Sequence, residues 1–149
     1  MSVRRIDQDM AAVAVGALPR PVTPELRTRY RQLRVMLHTA GLAATYAFLA
    51  AKAAAETGQL AQAYAEAGRG IRDRLADLQL LTGDKARLGP SQVLEQFGKM
   101  DGSGYARASA EAAALTGWLS RLADALVQDS RSPAGETGSQ EQAVSEQRQ

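Results

Sequence analysis

Five arginines stand within residues 20–34 (Arg20, Arg27, Arg29, Arg31 and Arg34) against one acid, Glu25. Arg27, Arg31 and Arg34 fall four and three apart, so a helix would set them in one stripe spanning about 10 Å. A guanidinium group forks onto a phosphate through two N–H donors. Such a row could follow one or two successive phosphates of a nucleic-acid strand, with salt-dependent affinity and no base preference. The same stripe also reads as a solvated face that keeps a helical bundle in solution.

Other chemistry finds little footing. His38 is the single histidine, and no HxxxH or HExxH spacing surrounds it, so it reads as a helix-end residue favouring the dipole rather than a metal ligand. Ser91, Ser103, Ser109 and Ser120 lack a GxSxG setting. The glycine pairs in GRGIRD and GSGYAR follow no strand and carry no GK[ST], so no phosphate-binding loop is expected. Asp73 and Asp77 lie four apart among Arg69, Arg72 and Arg74, which reads as intrahelical ion pairing. No catalytic residue, metal site or cofactor is expected, and the chain is read as not an enzyme.

With 149 residues, the chain has the size of one domain and is long enough to bury a core. Alanine dominates, aromatics are few, and arginine outnumbers lysine 15 to 3. That composition favours helix. The absence of cysteine excludes disulfides and thiolate sites and suits the cytoplasm. The opening MSVRRIDQDM places charges where a signal peptide would need an apolar run, and no stretch is long and apolar enough to span a membrane.

The elements that would position the arginines follow from punctuation and periodicity. A first helix is expected from an N-cap at Asp7 to Leu18, stopped by Pro19-Arg20-Pro21. Thr23-Pro24-Glu25 restarts one, with Thr as cap and Pro at the first turn. Leu26, Tyr30, Leu33 and Leu37 give that second helix its inward face. Gly41 marks a break, and Leu42, Tyr46, Leu49 and Ala53 mark a third helix.

A fourth helix follows Gly58, with Gly68 and Gly70 either bending or breaking it, and ends at Thr82-Gly83-Asp84. A short fifth follows Pro90, and Asp101 to Gly104 reads as a loop. The last helix carries Tyr105, Ala108, Ala112, Leu115, Leu119, Leu122 and Leu126 in a 3-4 rhythm, widened by Trp118. The expected fold is all-α: a single-domain bundle of about five or six helices over residues 1–130, without a sheet. A disordered polar tail is expected over residues 131–149.

Three stretches carry a family likeness. RRIDQDMAAVA opens the chain, LRVMLHTAGLAATYAFLAAKA fills residues 33–53, and YARASAEAAALTGWLSRLADALV fills residues 105–127. Together they resemble the small subunit of the type III-B CRISPR effector, the Cmr small-subunit family. Residues 57–100 match it poorly. Ala40 stands where an Asn commonly precedes the Gly-Leu, and Ser120 stands where a second basic residue is common, leaving Arg121.

The resemblance implies a non-catalytic RNA-binding subunit of an antiviral ribonucleoprotein, stacked head to tail with copies of itself. Its partners would be the backbone and large subunits, the CRISPR RNA and the target RNA, with no membrane. Arg27, Arg31, Arg34, Lys52 and Arg121 are the residues expected to face RNA. The small subunit of the type III-A complex and an unrelated helical module, homo-oligomeric through its last helix, are the competing readings.

Overall fold

The computed structural model describes residues 6–127. The expected tail, residues 131–149, and the basic pair Arg4-Arg5 lie outside the described residues. The element order is α1 (Ile6–Ala17), α2 (Pro24–Ala40), α3 (Leu42–Ala55), α4 (Gly58–Asp77), a single 3-10 turn (Lys85–Arg87), α5 (Pro90–Lys99) and α6 (Gly102–Leu126). Among the described residues there is no strand, only an isolated parallel bridge between Val22 and Val127. The fold is all-α, as expected. No helix among them is long and apolar enough to cross a membrane.

The start of α2 follows its text closely. The Thr23 hydroxyl accepts a hydrogen bond from the Leu26 amide at 3.2 Å, and Pro24 takes a position whose N–H would go unused. Leu26, Tyr30, Leu33 and Leu37 are buried, which fixes the rotation of the helix. At Gly41 the backbone turns with φ at 95°, a conformation that favours glycine, and α3 departs in a new direction.

α6 forms the axis of the bundle and packs against α1, α2 and α4, while α3 packs against α2, α4 and α5. Ala108, Ala112, Leu115, Leu119 and Ala123 are almost fully withdrawn from solvent. Leu26, Tyr30, Leu37, Leu49 and Leu119 lie in the core, with Phe48, Trp118 and Leu122 half-buried against it. Edge-to-face ring pairs join the layers: Tyr46 to Phe97 at 5.7 Å, Phe97 to Tyr105 at 6.4 Å and Phe48 to Tyr64 at 5.9 Å.

Five local expectations are corrected. α4 runs unbroken through Gly68 and Gly70 and ends at Asp77, short of Thr82, because the Leu80 and Leu81 amides both fold back onto the Leu75 carbonyl. α6 begins at Gly102: the Asp101 carboxylate accepts the Gly104 amide at 2.6 Å, so the expected loop is a capped first turn. Asp7 lies inside the first turn of α1 instead of capping it.

The buried arc of α6 takes in Thr116, Ser120 and Ala123 and leaves Leu126 exposed, because the helix is covered by more than one neighbour. Of the two acids, Asp73 pairs within α4 as expected, with Arg72 at 2.8 Å, while Asp77 does not. Lys85 reaches Asp77 at 2.9 Å from beyond the helix, and Arg74 meets Glu111 of α6 at 3.3 Å.

Two measurements test this packing. A Cβ at Gly70 would lie 3.1 Å from Cδ2 of Leu115, so α4 sits close on α6 only because that side chain is missing. Gly70→Val should lower stability by about 1–3 kcal/mol in denaturant titration. Among the described residues the buried Tyr30 hydroxyl has no hydrogen-bond partner, and burial, with the Glu66 carboxylate nearby, pushes its ionisation upward. Tyr30→Phe should therefore stabilise the fold by about 1 kcal/mol. Burial raises Tyr46 and Tyr64 as well. The unfolded chain ionises first, so stability should fall as pH rises past the ordinary tyrosine value of 10.0, less steeply in Tyr30→Phe.

Candidate nucleic-acid interface

α2 and α6 lie side by side and run in opposite directions. Arg31 near the middle of α2 meets Asp124 near the end of α6, and Ala43 just past α2 meets Tyr105 near the start of α6. Between them runs an open groove of about 930 Å³. α2 supplies Arg31, Arg34, Val35 and His38, because the apolar face ending at Leu37 is turned toward the core. α6 supplies a floor of Ala110, Ala113, Ala114 and Gly117, then Ser120, Arg121 and Asp124.

The floor is low for a reason visible in the backbone. Gly117 stands in the middle of a long helix, where glycine costs roughly 1 kcal/mol relative to alanine. A Cβ there would meet nothing within 4 Å. No helix presses on that site; the missing side chain deepens the groove.

The arginines differ in what holds them. Arg31 pairs with Asp124 at 2.8 Å. Among the described residues no carboxylate pairs with Arg34 or Arg121. Arg121 lies over the Trp118 ring at 5.7 Å, which steadies it while leaving its N–H donors available. Three guanidinium groups thus face one carboxylate along the walls. No Phe, Tyr or Trp lines the groove, so it offers phosphate contacts and no stacking platform for bases. Among the described residues no group of three or more His, Cys, Asp or Glu could hold a metal ion.

Of the five residues expected to face RNA, Arg31, Arg34 and Arg121 come together here. Arg27 does not line the groove; it is half-buried, with its Nε enclosed and without a partner among the described residues. Lys52 lies on α3, 3.7 Å from Glu56 and 5.7 Å from the centre of the Phe48 ring. The sequence reading missed His38 and Asp124 as groove residues. A hint for Asp124 lay in its place three residues after Arg121, on one helix face, but its pairing with Arg31 spans 93 positions.

No curated protein and no solved structure matches the chain. A family model does: that of the CRISPR-associated protein family Cas_Cmr5, over residues 6–126. The match passes through residues 57–100, where the likeness in the sequence was poor, and it covers every helix of the bundle. It sets aside the reading as an unrelated helical module and that as a type III-A subunit. The chain therefore belongs to the Cas_Cmr5 family, the small subunits of type III-B CRISPR effector complexes.

Proposed function

We propose that this subunit is a non-catalytic brace that lines the target-RNA channel of its complex with the α2–α6 groove. The observation that carries this reading is the convergence of Arg31, Arg34 and Arg121 on one groove, two of them without a carboxylate partner among the described residues. The seven steps from Arg31 to His38 rise about 10 Å, room for one or two phosphates per copy. Weak contacts of that kind gain strength when copies line up along one strand. A head-to-tail row needs a heterologous interface, with a different patch on each side of the subunit.

In this reading the subunit sits in the cytoplasm between the guide-holding backbone subunits and the target RNA, with the large subunit at the end of the row. Pairing between CRISPR RNA and target supplies the sequence discrimination, and the groove reads only backbone. Arg34 and Arg121 are its main phosphate contacts, with Arg31 beside them. Arg27 and Lys52 would meet RNA from outside the groove.

Charge reversal tests the assignment. Arg34→Glu with Arg121→Glu, in complexes reconstituted with CRISPR RNA, should reduce retention of target RNA by about tenfold or more at moderate salt. The helical circular dichroism of the subunit should stay unchanged. Full retention would remove the groove as the RNA-facing surface.

A further inference from the structure

Asp124 is the single carboxylate among the residues that line the groove, and it occupies guanidinium donors of Arg31. Its Oδ1 lies 2.8 Å from an Nη of Arg31. Carboxylate and phosphate oxygens compete for the same guanidinium donors. Both partners are well exposed, Arg31 at 58% and Asp124 at 44% of the side chain, so the pair is a weak one that a polyanion can open. Arg34 and Arg121 meet no such competitor among the described residues.

From this, and resting on the phosphate-tracking reading above, we propose that Asp124 is a built-in competitor that holds Arg31 back from the nucleic-acid backbone. A strand entering the groove meets Arg34 and Arg121 first. To gain Arg31 it must displace Asp124, and the displaced carboxylate then repels it from three residues beyond Arg121. The groove therefore grips as if it held about two cations instead of three. This sets an upper limit on how tightly one copy retains a strand, and a strand held by many such copies can still leave by releasing them one at a time.

The test uses the full-length chain and a fluorescently labelled single-stranded RNA of mixed sequence, titrated by anisotropy over a range of salt. Asp124→Asn should tighten binding by about fivefold at low salt. It should also steepen the dependence of log affinity on log salt by about 0.7, the increment for one more phosphate contact on a single strand. Arg31→Gln should weaken binding less than Arg34→Gln does. The gain from Asp124→Asn should be much smaller in the double variant Asp124→Asn with Arg31→Gln, where only the repulsion by the unpaired carboxylate is removed.

If Asp124→Asn brings no gain while Arg34→Glu with Arg121→Glu loses binding, the competitor role is wrong and the groove reading survives. A gain undiminished without Arg31 would overturn it too, since the carboxylate would then act only through net charge. If the natural chain shows no salt-dependent binding, or the double charge reversal leaves binding intact, the groove reading fails and the competitor role falls with it. Matched melting curves for the variants exclude a change in fold.

Discussion

The bundle depends on burying one arc of α6 along most of its length. Leu115 and Leu119 are almost wholly enclosed, each stabilising the fold by roughly 1.5–3 kcal/mol relative to exposure. Ala108, Ala112 and Ala123 fill the same arc with little volume. Small residues there let α1, α2 and α4 all approach one helix, and Gly70 extends the principle from the side of α4. A helix covered on that arc has only its remaining face to offer. In α6 that face carries Ala110, Ala113 and Ala114, with Arg121 and Asp124 at its end and buried Gly117 at its edge. The core and the candidate interface are two sides of one packing solution.

Where the controlling contacts are local, the text of the chain is legible. Thr23, Pro24 and the Leu26, Tyr30, Leu33, Leu37 face act within a few residues of one another, and α2 forms as they indicate. The errors arise where distant or subtle partners decide. Gly102 and Gly104 look like loop, yet the Asp101 carboxylate makes them a first turn. Thr82-Gly83 looks like the end of α4, yet the chain has already left the helix through the folded-back amides of Leu80 and Leu81.

The site divides in the same way. Arg31 and Arg34 are visible as a stripe, because their spacing alone sets them on one face. Arg121 was singled out by family likeness, since nothing near it in the chain marks it as facing α2. Arg27 has the right spacing but lies toward the packed side of the stripe, where its Nε is enclosed. The antiparallel pairing of α2 with α6 decides which arginines share a groove, and that pairing is a property of the fold as a whole.

The junction between α3 and α6 has a consequence for the order in which the chain becomes structured. The N-cap of α3 is Gly41, which has no side chain to cap the free amides of the first turn. The Tyr105 hydroxyl accepts the Ala43 amide at 3.0 Å across 62 positions. During synthesis, α3 leaves the ribosome well before the residue that completes its first turn. The Ala43 amide gains this partner only when the last helix docks, so the leading end of α3 is completed by the terminal third of the chain.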